Sequence, residues 1–243
     1  MAEREYADVE TSSDSYARRF SGPVGTWFLD RQAACTRNLL RDVAAGARVL
    51  DVGGGHAQLV PLLVERRYDV TVIGSSEGCA HRLAPWIERR QVQFQAADLL
   101  RLPLPDRSFD VVFSFRLLPH IDEWPQLIGE LCRVARRSVI VDYPSTRSVN
   151  VLADRFFSAK KKIEGDTRGF TLFQPRDVAD AFGRAGFSVS RECGQFVFPM
   201  ALHRAAGSAA LSQLLEAVPR VIGLTSWLGS PRILRADRSV SRD

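Results

Sequence analysis

The chain has 243 residues, 45% hydrophobic and 25% charged, which suits one large α/β domain and excludes wholesale disorder. Its formal net charge of +5 comes from arginines scattered among acids, without the basic stripe and interleaved aromatics of a nucleic-acid binder. The one tight cluster, Lys160, Lys161 and Lys162, reads as a solvated helix end or as a phosphate- or membrane-facing patch. No apolar run approaches the ~20 residues that span a bilayer. The polar N-terminus lacks the apolar stretch of a signal peptide. Cys35, Cys79, Cys132 and Cys193 form no CxxC pair, so each is expected to be a free, buried thiol and no metal site is expected. The expectation is a soluble, cytoplasmic protein, with its oligomeric state left open.

In chain order, residues 1–15 look frayed and 31–45 carry helical spacing that ends at Gly46. Arg48 to Val52 reads as a strand running into Gly53, Gly54 and Gly55. A helix over 57–67 follows, with Pro61 tolerated in its first turn. Asp69 to Ile73 is a second strand, 78–88 a helix, and Val92 to Ala96 a third strand. Phe109 to Phe115 is a fourth strand, Pro125 to Arg136 a helix with Leu127, Ile128, Leu131 and Val134 on one face, and Ser138 to Asp142 a fifth strand. Beyond Pro144, residues 147–163 look helical, 164–173 a loop, Gln174 to Arg184 helical, 187–198 a strand, 208–224 a helix and Pro231 to Ala236 a last strand. Unbroken apolar strands alternating with helices predict a mostly parallel sheet covered on both faces.

The junction VLDVGGGHAQ, Val49 to Gln58, concentrates the chemistry. A glycine turn between strand and helix lets a ligand approach the backbone. A dinucleotide site would place a third glycine at position 58, where Gln58 stands, which disfavours a nicotinamide-dependent oxidoreductase. VLDVGGG resembles motif I of the class I S-adenosylmethionine-dependent methyltransferases, with Ala57 where a last glycine is usual. FQAADLLRLPLPDRSFDVVFSF, Phe94 to Phe115, resembles the corresponding stretch of the ubiquinone and menaquinone methyltransferase-like branch.

The resemblance implies a doubly wound seven-stranded sheet of order 3-2-1-4-5-7-6 with strand seven antiparallel, and S-adenosylmethionine as cofactor. It places Asp51, Gly53, Gly54 and Gly55 at the cofactor's methionine portion. Ala97, Asp98 and Leu99 fall at its adenine, and Phe115 and Arg116 at the methionine end. Family members carry a ribose-binding acid at the end of strand two. Here Gly74 stands in that place, followed by Ser75, Ser76 and Glu77, any of which is a candidate stand-in; Ser76 also suits a helix N-cap. Tyr16 and Arg18 or Arg19 are expected to reach the cofactor's carboxylate, and His120 to line the acceptor site as a candidate base.

The implied division is a lid over 1–45, a cofactor-binding core over 46–145, and an acceptor-site insert with the last strands over 146–243. Phe156, Phe157, Phe170 and Phe173 suggest a small organic or lipid-like acceptor, though core packing explains them equally. The other open class is a non-catalytic, methyltransferase-like binding or regulatory protein.

Overall fold

The computed structural model describes residues 6–148 and 171–239. The expected helix over 147–163, the cluster Lys160–Lys162, and Phe156, Phe157 and Phe170 fall outside these residues, wholly or nearly so.

Seven strands form one sheet: β1 (Arg48–Val52), β2 (Asp69–Gly74), β3 (Val92–Ala96), β4 (Phe109–Ser114), β5 (Ala135–Tyr143), β6 (Phe187–Phe196) and β7 (Ser230–Arg238). Their order is β3-β2-β1-β4-β5-β7-β6, parallel throughout except for β7, which runs antiparallel to both neighbours. β1 lies between β2 and β4 and is buried from Val49 onward. Apolar residues on both faces of β1 and β4 require cover on both sides. The edge strand β3 alternates instead, with Val92 buried and Gln93 exposed.

One apolar layer packs α6 (Trp124–Val134) and α7 (Pro175–Arg184) on the sheet through Leu127, Leu131, Val178 and Phe182. The opposite layer uses α3 (Gly22–Leu39) and α4 (Val60–Glu65), through Leu39, Val60 and Leu63. Before α3 come two short helices, α1 (Ala7–Thr11) and α2 (Asp14–Arg18), where the sequence looked frayed. α1 is held because Ala7, Asp8, Thr11 and Ser12 are buried.

Several boundaries differ from the sequence reading. α3 begins nine residues earlier than expected and stops at Leu39, with Leu40 and Val43 buried in the turns that follow. The expected helix over 78–88 is a 3-10 segment, Glu77–Leu83, followed by α5 (Ala84–Glu88). Pro85 lacks an N–H and starts a fresh first turn there. The expected helix over 208–224 is α9 (Ala209–Val221), and two short helices that were not expected flank it, α8 (Met200–Ala206) before and α10 (Leu224–Leu228) after. Gly207 at φ +64° and Gly223 at φ +77° terminate the turns between them.

The cysteine expectation is corrected. Cys35 of α3 and Cys193 of β6 form a disulfide across 158 residues of sequence, while Cys79 and Cys132 are free and buried. Such a pair becomes visible only when the fold brings α3 beside β6. At the end of β5, Ser145 bridges Phe173, Thr146 N–H donates to the Phe173 carbonyl at 2.9 Å, and Phe173 N–H donates to that of Pro144 at 3.0 Å. Phe173 is buried against Trp124 and Tyr143, so it is core and not pocket lining. Among the described residues no helix is long and apolar enough to cross a membrane.

α3, α8 and α9 meet around a buried polar node. Glu216 Oε2 accepts from Val197 N–H at 3.0 Å and Oε1 from Phe198 N–H at 2.9 Å, with His203 Nε2 at 3.2 Å. Trp27, Phe28 and Phe196 surround the His203 ring. Burial by itself raises the Glu216 carboxyl, but His203 and the two backbone donors hold it below its ordinary value of 4.5. A carboxyl depressed on folding adds stability that is complete above its unfolded pKa and is lost as pH falls through the folded one. Glu216→Ala strands two backbone donors and is expected to cost about 3–5 kcal/mol, read as a lower urea midpoint at neutral pH. The gap to the parent protein should narrow below about pH 4.5; a gap independent of pH would remove Glu216 from this role.

Candidate active site

β1 ends in Asp51-Val52, and the chain then turns at Gly53 with φ +77°, a left-handed conformation that favours glycine. Residues 54–56 make a 3-10 turn. A Cβ on Gly54 would lie 2.2 Å from the Asp51 carboxylate, and one on Gly55 would lie 2.2 Å from Ser12 Oγ. Ala57 adopts φ +59°, which is the physical reason a glycine is usual there. Gln58, the residue that breaks the dinucleotide pattern, has a task of its own. Its side-chain oxygen accepts from Arg116 Nε at 2.6 Å, while Gln32 accepts from Arg116 Nη2 at 2.7 Å. The Arg116 guanidinium lies 4.3 Å over the Phe20 ring. Arg116 itself has φ +58° and donates its backbone N–H to Asp142 Oδ1 at 2.6 Å.

The carboxyl ends of β1, β2 and β4 carry a group of buried polar atoms that have no hydrogen-bond partner among the described residues. They are both Asp51 oxygens, His56 Nε2, Ser75 Oγ, Ser114 Oγ and Asp8 Oδ1. Buried polar atoms in native proteins are almost always satisfied. Other unpartnered atoms are spread over β5, β6, β7, the helices and the 77–83 turn, whereas these six lie at the strand ends around a glycine turn. In doubly wound folds that edge, at the reversal of strand order, is where ligands bind.

The electrostatics agree. Burial, reinforced by Asp142, pushes the Asp51 carboxyl up to about 8. Burial, with Arg116 and Arg82 adding to it, takes His56 down to about 3. His56 is therefore a neutral imidazole whose Nδ1 accepts from Gln58 N–H at 3.1 Å. A ligand ammonium would meet a carboxylate in a water-poor pocket and restore its charge.

Of the residues singled out in the sequence, Asp51, Gly53, Gly54, Gly55, Gly74, Ser75, Phe115 and Arg116 come together at this edge. Ala97 N–H donates to the Gly74 carbonyl at 2.9 Å, which ties the turn after β3 to that after β2. Asp98 is half-buried, and its Oδ1 accepts from Leu100 N–H at 2.9 Å. Leu99 is fully buried. Ser76 occupies the N-cap position of the 77–83 turn without a capping hydrogen bond. Glu77 opens that turn and is exposed.

Tyr16 and Arg19 lie one ring away from Arg116, on the outer side of Phe20. Tyr16 packs on Phe20, and the exposed Arg19 lies 5.1 Å over the Tyr16 ring and pairs with Glu10 at 3.7 Å. A cleft of about 550 Å³ between Arg18, Arg19, Arg204 and Gly207 belongs to this lid surface, and none of the glycines after β1 lines it. His120 closes the 3-10 turn Leu118–His120, half-buried, with Thr171 N–H donating to the neighbouring Pro119 carbonyl at 2.9 Å. The sequence reading missed Asp8, His56 and Asp142. Only Asp142, an acid inside the apolar run SVIVDY, carried a readable signal.

A seven-stranded sheet of this order with its one reversed strand, and a glycine turn under a buried carboxylate, is the architecture of the class I methyltransferases. Residues 50–141 match the family model described as a methyltransferase domain, and the resemblance to the S-adenosylmethionine-dependent family read in the sequence is borne out. The 27-O-demethylrifamycin SV methyltransferase of Amycolatopsis mediterranei is 33% identical over 130 residues, 49% of this chain and 48% of that one. The demethylmenaquinone methyltransferase of Thermus thermophilus is 34% identical over 113 residues, 41% and 49% of the two chains. This chain thus spans about half the length of those relatives. Among solved structures, a magnesium protoporphyrin IX methyltransferase from Synechocystis with bound SAH superposes with a TM-score of 0.66, at 17% identity over 93% of this chain and 94% of that one. The [4+2]-cyclase SpnF shares the fold at a TM-score of 0.58, with 20% identity over 85% and 80%. Fold by itself therefore does not decide chemistry.

The Asp51 carboxyl supplies a test. Its ordinary value is 3.8 and its folded value about 8. Between these the folded protein keeps a proton that the unfolded chain has released, so stability falls as pH rises through the window. Asp51→Asn removes this cost. The ligand-free variant is expected to melt above the parent at pH 8, with the difference shrinking toward pH 4. Calorimetric scans at both ends decide it, and a pH-independent difference overturns the assignment.

Proposed function

We propose that this chain binds S-adenosylmethionine at the carboxyl edge of β1, β2 and β4 and transfers its methyl group to a small organic acceptor. The observation that carries the reading is the convergence of unpartnered buried polar atoms on the glycine turn. The relatives are named for small-molecule acceptors, a rifamycin and a menaquinone precursor, which supports that acceptor class. Asp51 suits the cofactor because it offers two carboxylate oxygens to an ammonium, and the tight turn Gly53–Gly55, whose side-chain space Leu117, Asp51 and Ser12 fill, holds that carboxylate at the strand end.

The sulfonium supplies a methyl group already activated for in-line displacement. The chain's own contribution is proximity, orientation and exclusion of water. Asp51 anchors one end, the Gln32–Arg116–Gln58 network holds the turn after β4 against that after β1, and the buried edge keeps water out. Asp98 suits the adenine amino group, because a carboxylate accepts from it, and its second oxygen is not engaged in the turn. His120 follows β4 on the acceptor side and suits the role of base.

Titration calorimetry with S-adenosylhomocysteine tests the cofactor, and no heat from the folded parent protein would sink this reading. Asp98→Ala is expected to weaken binding roughly ten- to a hundredfold, the worth of one hydrogen bond to a charged acceptor at about 1.5–3 kcal/mol. For His120, turnover is measured on an acceptor found by screening fractionated extracts with tritiated S-adenosylmethionine. His120→Ala should lower it by about 10²–10⁴ with cofactor affinity retained, and less at high pH, where an acidic acceptor ionises unaided. A small effect at every pH would leave His120 as pocket wall.

A further inference from the structure

We propose that Asp8, on the N-terminal helix α1, is the carboxylate that receives the ribose hydroxyls of the bound nucleoside. The proposal rests on the reading that the chain binds an adenosyl cofactor.

Nucleoside sites of doubly wound sheets use an acid about 20 residues past the glycine turn, at the end of the second strand, to accept from the sugar. In this chain that position is Gly74, and the strand has no room for an acid. A Cβ on Gly74 would lie 2.6 Å from Cys79 Cβ and 3.2 Å from the Phe94 ring.

The carboxylate arrives from elsewhere. Asp8 is fully buried. Its Oδ2 accepts from Ser75 N–H at 2.8 Å, one residue beyond Gly74, and from the Cys79 thiol at 3.4 Å. The side chain that fills the space over Gly74 is thus the one that helps hold Asp8. Asp8 Oδ1 has no hydrogen-bond partner among the described residues. Leaving a charged acceptor buried and unsatisfied is costly, and the cost is relieved when a ligand brings donors. A vicinal diol brings two hydroxyl donors to one carboxylate.

Two neighbouring hydroxyls are turned inward on Asp8's own backbone. Thr11 Oγ1 and Ser12 Oγ donate to the Asp8 carbonyl at 3.1 and 2.7 Å. Ser12 Oγ also packs against the Gly55 backbone, which registers the helix on the glycine turn.

The test compares two probes by calorimetry: S-adenosylhomocysteine and its analogue lacking both ribose hydroxyls. Asp8→Ala is expected to weaken S-adenosylhomocysteine ten- to a hundredfold and to leave the analogue's affinity unchanged. Asp8→Asn keeps an oxygen for Ser75 N–H and therefore keeps α1 in place; it should show the same hydroxyl-dependent loss at smaller size. Equal losses for both probes would make Asp8 a structural support and overturn the proposal. Tighter binding by Asp8→Ala would overturn it too, because α1 would then be a plug in the cofactor's space. The parent protein is titrated first, so failure of the cofactor reading itself shows separately as no binding of S-adenosylhomocysteine at all.

Discussion

Asp51 lies near the end of β1 with its carboxylate fully buried and, among the described residues, no donor to either oxygen. A second buried carboxylate, Asp142, raises it further. Much of the surrounding geometry can be traced to that pair. Gly54 must lack a side chain because Asp51 fills the space. Arg116 takes a left-handed conformation that aims its backbone N–H at Asp142, and its guanidinium then reaches two glutamines and an aromatic ring. The strain of such a residue, of order 1–3 kcal/mol, is borne where the surrounding contacts determine it most completely.

The N-terminal forty residues belong to this arrangement as much as the sheet does. α1 brings Asp8 against the turn after β2. Phe20 and Gln32 receive Arg116 from the turn after β4. The disulfide from Cys35 to Cys193 ties α3 to the far side of the sheet. The N-terminal segment is thus fastened to the turns after β2 and β4 and to the outer strand β6, although residues 1–15 gave little sign of burial in the sequence.

The strands were legible to within a residue or two at β1, β2, β3 and β4, because each is an apolar run closed by glycine or a polar turn. β5 was less so: Arg136 and Arg137 are exposed at its start, and their charge reads as the end of a helix. The candidate site was legible where a local motif marks it, at Asp51, Gly53 and Asp98. It was not legible where distant segments meet. Asp8 sat in a stretch that looked frayed, Gln58 looked like a defect in a glycine pattern, and Cys35 and Cys193 looked like separate thiols. Each acquires its meaning only from a partner more than fifty residues away, and periodicity carries no information at that range.

The bridge between Ser145 and Phe173 has an evolutionary consequence. The chain leaves the end of β5 and returns to the same point, locked there by two backbone hydrogen bonds and by the Phe173 ring. Both locking hydrogen bonds run from backbone to backbone, so they depend on no side chain between the two anchors. Substitutions selected there leave the fastening of β5 untouched.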